Sequence, residues 1–297
     1  MGIFDSLQKK NQDSPSSETE ADSGPVASLQ ILFAAPFDLD EAAFTRQLRA
    51  YDKSLSAAQL SVVQAGEGSW MANISWGIHI VQVVTFGFPM PQEPVEACLQ
   101  PSHYNRETKD LARTQQAHAL LFYRGEANNV SEQYVSLALI AGALCGEGGL
   151  AVLNESALTS VPSRVFTAES GESNLELWRT APPLFLFAGF VKYELEGQPG
   201  VWMRTYGLHV WGLPDLATLV EGHHQGTEIF NIFSNVASYM MAKGPILCAG
   251  HTMQIGEDIY MKLRDPKLEE AAMGQPNEVL IAEFIRSDQS NPFVFSA

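Results

Sequence analysis

The segment GIHIVQVVTFGF, residues 77–88, constrains the fold more than any other stretch of this chain. Successive side chains of a β-strand face opposite sides of its sheet. Here Ile78, Ile80, Val84, Phe86 and Phe88 fall on one side, with Gln82 the exception, and Val81 and Val83 fall on the other. A strand that is apolar at both parities belongs in the middle of a sheet covered on both faces. The chain must therefore build a layered structure around it. With 297 residues, 45% of them apolar, there is enough to form one large domain or two of ordinary size. The same composition excludes a globally disordered chain.

The flanking segments supply the other layers. QILFAAPF, from near Leu29, reads as a strand. DLDE then opens a helix, with Asp38 as N-cap, Glu41 three residues on as in a capping box, and Phe44, Leu48 and Tyr51 on the apolar side. LSVVQA, SWMANISW, HALLFYRG and GLAVLNES are further strands, and residues 104–117 form a polar helix. VSEQYVSLALIAGALCGEGG is the clearest helix, with Ser131 as its cap, Val130 against Val135 as a staple, and Gly146 as a left-handed stop. Residues 162–175 form a polar connection. Beyond it, PPLFLFAGFVKYELEG and GVWMRTYGLHVWGLPDL read as paired strands joined by EGQPG. TEIFNIFSNVASYMMAKG is an amphipathic helix, with Thr227 as N-cap and a stop at Gly244 and Pro245. PILCAG, TMQIG, DIYMKLR and EVLIAEFI finish as short strands.

This order predicts an α+β fold: mostly antiparallel mixed sheets with helices packed on one face. Residues 29–160 and 175–297 form two halves, which a degenerate duplication would relate. Residues 1–28 are expected to be a disordered tail, because NQDSPSSETEADSGPVAS has almost nothing to bury. Within that tail Ile3, Phe4 and Leu7 would share one face of a short helix, and Gly2 and Ser6 match an acylation pattern.

The formal net charge of −16, from 18 basic and 34 acidic side chains, disfavours nucleic acid and anionic membrane surfaces as partners. It suits solubility, and also a basic protein partner. Cys98, Cys145 and Cys248 are odd in number and contain no CxxC pair. Cys145 and Cys248 sit among apolar residues and read as small core side chains. Neither a signal peptide nor an apolar run of ~20 residues is visible, so the expected location is the cytoplasm. All five tryptophans, Trp70, Trp76, Trp178, Trp202 and Trp211, fall in segments read as strands.

The stretch GLHVWGLPDLATLVEGHHQG, residues 207–226, concentrates the candidate functional groups. Its structural account is complete in itself. Gly207 and Gly212 permit a bulge or close backbone approach, Pro214 ends the strand, and Asp215 bonds local amides and holds the bend. The functional alternative gathers His209, His224, His251, Asp215 and Glu228 into a catalytic or metal site. His223 and His224 are adjacent and point opposite ways on an extended segment. No HExxH or HxH spacing supports zinc, so no metal or other cofactor is expected. There is no G-x-S-x-G nucleophile elbow, and GEGG at 146–149 precedes a strand, so it is no phosphate loop.

The runs PPLFLFAGF at 182–190 and TYGLHVWGLPDL at 205–216, the helix at 228–242 and the turn near 250–256 together resemble domain-of-unknown-function family 4261. The resemblance is best over residues 180–265 and weaker over residues 29–160. It implies a bacterial soluble domain and brings no assigned catalytic residues. The expected function is a non-catalytic protein-binding domain, in one version an immunity-type inhibitor that caps a basic toxin. The alternative is a metal-dependent small-molecule enzyme using the 209–251 region. A third reading is a membrane-peripheral regulator tethered through MGIFDSL.

Overall fold

A computed structural model of the protein describes residues 26–166, 172–243 and 247–286. Its first sheet contains β1 (Ser28–Phe33), β2 (Gln59–Gly66), β3 (Ser69–Trp76), β4 (His79–Phe86), β5 (Ala117–Tyr123), β6 (Gly149–Asn154) and β7 (Thr159–Pro162). These lie in the order β2-β3-β4-β5-β1-β6-β7, every neighbouring pair antiparallel. The second sheet contains β8 (Gly189–Tyr193), β9 (Val201–Tyr206), β10 (Asp215–Val220), β11 (Thr252–Gly256), β12 (Ile259–Arg264) and β13 (Val279–Arg286). Its order is β11-β12-β13-β10-β9-β8, antiparallel except between β10 and β13. The fold is α+β.

One face of the first sheet is closed by helices. Leu29, Ile31, Phe33, Ala72, Ile74, Val81, Val83, Ala119 and Leu121 all point to it and are fully or almost fully buried. Against them pack α1 (Glu41–Tyr51), through Phe44 and Leu48, and α4 (Val130–Cys145). Every residue of α4 from Tyr134 to Leu144 is buried, because the helix is sandwiched between the sheet, α1 and α5 (Asn174–Thr180). On the opposite face α2 (Gln92–Leu99) and α3 (Arg106–Arg113) lie over β6 and β7, where Leu32, Val95, Cys98, Leu99, Ala112, Ala151 and Leu153 form a smaller core. The second sheet is covered by α6 (Gly226–Lys243), whose Ile229, Phe233, Val236, Ala237 and Met240 meet Met203, Leu216, Met261 and Phe284. At least ~1.5 kcal/mol of hydrophobic stabilisation follows each fully buried side chain of this size.

Both sheets contain the same motif: a strand, a helix and a three-stranded antiparallel meander that returns beside the first strand. In the second half it is β10, α6, β11–β12–β13. In the first it is β1, α1, β2–β3–β4, with β5 inserted between β4 and β1. The two halves meet closely. Tyr134 stacks on Phe187 and Trp211, and Asn154 donates to the carbonyls of Leu186 and Phe187. A Cβ on Gly189 would stand 1.7 Å from the Ala157 carbonyl, so only glycine fits there.

Several local expectations need correction. The helix at 41–51 is capped by Asp40, which accepts from Ala43 N, while Asp38 bonds Gly68 N across to the β2–β3 turn. Asn129 caps α4, so Ser131 lies inside the helix, and Gly146 has right-handed φ of −61°. The helix expected from Thr227 starts at Gly226 and is preceded by a 3-10 turn, where Gln225 Oε1 accepts from Glu221 N. Its stop at Gly244 and Pro245 lies outside the described residues, as does the tail up to residue 25; Ser28 already opens β1. PPLFLF forms a 3-10 turn instead of a strand, and residues 247–250 of PILCAG are not a strand. Trp178 lies on α5 and Trp211 on a 3-10 turn. Cys248 is exposed, not a core side chain.

Candidate functional site

The stretch from 207 to 226 departs most from its sequence reading. Gly207 (φ 96°) and Gly212 (φ 68°) bracket a 3-10 turn, Leu208–Trp211, and both hold left-handed backbone that side-chain-bearing residues avoid. Pro214 does not end a strand. It stands just ahead of one, because β10 runs from Asp215 to Val220 between β9 and β13. Proline needs no ladder bond there, and the first amide of the strand, Asp215 N, donates to Glu278 O.

Asp215 organises this junction. Its Oδ1 accepts from Thr205 Oγ1 at 2.9 Å and from Leu208 N at 3.3 Å, and Thr205 Oγ1 in turn accepts from Leu216 N. Its Oδ2 lies 3.9 Å from Arg204 Nη2. Arg204 donates to Met273 O and lies over the Tyr206 ring, with its Nε buried and without a partner among the described residues. Burial pushes the Asp215 carboxyl up to about 6, against the opposing pull of Thr205 and Arg204. Its carboxyl thus holds a proton to higher pH than an ordinary aspartate does.

Asp215 lies in the wall of a cleft of about 510 Å³, lined also by Arg204, His209, Gly212, Pro214, Cys248 and Glu278. His209 and Asp215 thus share a cavity, although no hydrogen bond joins them among the described residues. Cys248 brings His251 to the same edge. A turn closed by His251 N donating to Cys248 O, with Gly250 at φ 91°, sets Cys248 Sγ 3.1 Å from His251 Nε2. His224 and Glu228 are elsewhere, exposed around the start of α6. His223 pairs with Glu194 at 3.1 Å on the surface. Among the described residues no group of three or more His, Cys, Asp and Glu side chains could hold a metal ion.

A second feature lies on the first sheet. The expectation that residues 77–88 are covered on both faces is overturned. Val81 and Val83 are buried, but Ile78 and Phe88 are each 55% exposed and Ile80 is 37% exposed. The reason is the placement of α2 and α3, which reach β6 and β7, so that among the described residues no helix lies over this face of β2–β5. The register lays out this open face in rows. One contains Gln64, Met71, Val84 and Leu120, and the next Ser61, Asn73, Gln82 and Phe122. His118 stacks on Phe86 at 4.7 Å and, with Phe88, forms a ridge along its border.

None of the seven strands of this sheet contains an Asp, Glu, Lys or Arg. The second sheet, by contrast, bears Lys192, Arg204, Asp215, Lys262, Arg264, Glu283 and Arg286. Sequence reasoning missed Arg204, Cys248 and Glu278 of the cleft, since nothing in their spacing links them. The charge-free strands were readable in the sequence, but which of their faces stays open was not.

A family model for a domain of unknown function, family 4261, matches residues 204–280. The matched segment runs from Arg204 to Leu280, the first and last residues that line the Asp215 cleft. No curated protein and no solved structure matches the chain. No helix among the described residues is long and apolar enough to cross a membrane.

Proposed function

We propose that this protein is a non-catalytic protein-binding domain that works through the open face of β2–β5. One observation carries this reading: a contiguous uncharged surface of Met71, Ile80, Val84, Phe86, Leu120 and Phe122 on a chain of net charge −16. Ile80 is exposed and the other five are half-buried; apolar patches that reach the surface mark contact sites, and interface cores are depleted of charge. The absence of charged side chains from these strands favours protein contact over a charged ligand. The narrower version, an immunity-type inhibitor in the bacterial cytoplasm, draws its support from the acidic composition, and a basic toxin would meet that acidity outside this face. The test is a photo-reactive phenylalanine analogue placed at Phe122, and separately at exposed Leu268 as a control, in cells. Protein adducts specific to the Phe122 position support the reading. Equal labelling at both positions, or none, refutes it.

A second reading is favoured by the family match bracketing the Asp215 cleft. In it the cleft binds a small polar molecule, with Asp215 exchanging a proton and His209, Cys248 and His251 at the rim. The metal-dependent version has no support in the geometry around His209 and His251. The test is a thermal-shift screen against polar metabolites. Hits abolished by Asp215→Asn support this second reading, and hits indifferent to it count against it.

A further inference from the structure

We infer that the occupant of the open β2–β5 face is a second copy of this chain, packed sheet on sheet about a twofold axis. The inference rests on the protein-binding reading and names the partner. Charge is the first argument. Two chains of net charge −16 repel each other, so a self-contact needs a surface free of carboxylates. All strands of this sheet are free of them, and the same patch would supply both sides. The cation next to the face, Arg124, lies over the Phe122 ring 5.5 Å away at the rim.

Shape and size agree. Five of the ten exposed large hydrophobic residues among those described flank this one region: Val26, Val63, Ile78, Ile80 and Phe88. Four strands spaced ~4.8 Å apart and rising ~3.4 Å per residue give a footprint of ~500 Å². The exposed Ile78 and Phe88 extend the patch beyond these strands, and a standard stable interface covers ~800 Å² per partner. Small residues, Ser61, Asn73 and Ser75, share the face with the large Met71, Phe86 and Phe122, so two copies can interdigitate at the ~10 Å spacing of packed sheets. The edge strand β2 carries neither charge nor proline, and a bulge at Val63 interrupts it. A face-to-face contact buries the side chains beside that edge.

The experiment is light-scattering mass across protein concentration, on the full chain and on the double variant Met71→Lys/Ile80→Lys, with Leu268→Lys as control. The expected result is a particle of twice 32.5 kDa for the wild type and the control, and a folded monomer for the double variant. Circular dichroism establishes that the variant is folded. Dimerisation should tighten as salt rises from about 0.05 to about 0.5 M, because screening removes repulsion between like-charged copies. Three outcomes overturn the inference: a wild-type monomer at ~100 µM, far above the range of a standard stable interface; a dimer that survives both lysines; or a photo-cross-link from position 122 that maps within the same chain to residues 1–25. A wild-type monomer leaves the protein-binding reading to stand or fall on adducts to other proteins. A cross-link between two copies at position 122 upholds both.

Discussion

Replacing Asp215 by asparagine isolates one buried carboxyl, and the size of the effect follows from its surroundings. Asparagine keeps an oxygen that can accept from Thr205 Oγ1 and Leu208 N, but it never ionises. The wild-type carboxyl has its pKa raised by burial from 3.8 to about 6. A raised carboxyl pKa means that the folded state holds a proton the unfolded state has already lost. That contribution is complete below the unfolded value and disappears as pH rises through the folded one. Two pH units of separation correspond to ~3 kcal/mol. The stability of Asp215→Asn minus that of the wild type should therefore climb by ~2 kcal/mol between pH 4 and pH 6.5, within a total of ~3 kcal/mol reached between about pH 2.5 and pH 7.5. Urea unfolding at half-unit pH intervals measures this, and the subtraction cancels every other titrating group. A difference flat to within about 0.5 kcal/mol would refute the reasoning, since it would mean that Asp215 titrates alike in both states.

Other consequences follow from packing and exposure. Gly189→Ala should cost more than ~3 kcal/mol or prevent folding, because its Cβ would overlap the Ala157 carbonyl; an unchanged melting temperature would contradict that contact. Trp211→Phe keeps the stacking on Tyr134 but loses the bond from Trp211 Nε1 to Ser131 Oγ, so chemical denaturation should register a loss of ~1 kcal/mol. Cys248 should react with a thiol reagent in the native protein while buried Cys98 reacts only on unfolding, which mass spectrometry of the labelled peptides resolves. Asp52 accepts from Ser54 N, Ser173 Oγ and Leu175 N, which hold its carboxyl below its ordinary value despite burial. Its stabilisation is present above that ordinary value and is lost as pH falls through the depressed one. Asp52→Ala should therefore cost ~2 kcal/mol near neutrality and progressively less in acid, as read from pH-dependent melting.

The legible parts of this fold were those where period and apolar content agree. SWMANISW, HALLFYRG, DIYMKLR and EVLIAEFI are strands, and the helices at 130–145 and 226–243 follow their apolar patterns. What escaped was set by tertiary context. DLATLV is a central strand, but Pro214 ahead of it reads as a terminator unless the partner β13 is known. QEPVEACL forms α2 without any side-chain N-cap, and only its packing of Val95, Cys98 and Leu99 onto the sheet makes it a helix. TSVP is a four-residue edge strand, too short to show a period. Asp38 and Asp40 are equal candidates for a cap by type, and the β2–β3 turn decides between them by claiming Asp38. In the cleft, Arg204, His209 and Asp215 lie close in sequence, whereas Cys248 and Glu278 are brought beside them only by the fold.

The insertion of β5 between β4 and β1 sets an order of events during synthesis. The β2–β3–β4 meander closes through local turns, but β1 pairs Leu29 with Leu121 and Ile31 with Val152, far along the chain. At ~5–20 residues per second the first strand waits roughly ten seconds for its neighbours to emerge. Through that interval the meander lacks α4, and it has no charge along its strands to keep nascent chains apart. Slowing translation after residue 86 should therefore lower the soluble yield more than slowing it after residue 162.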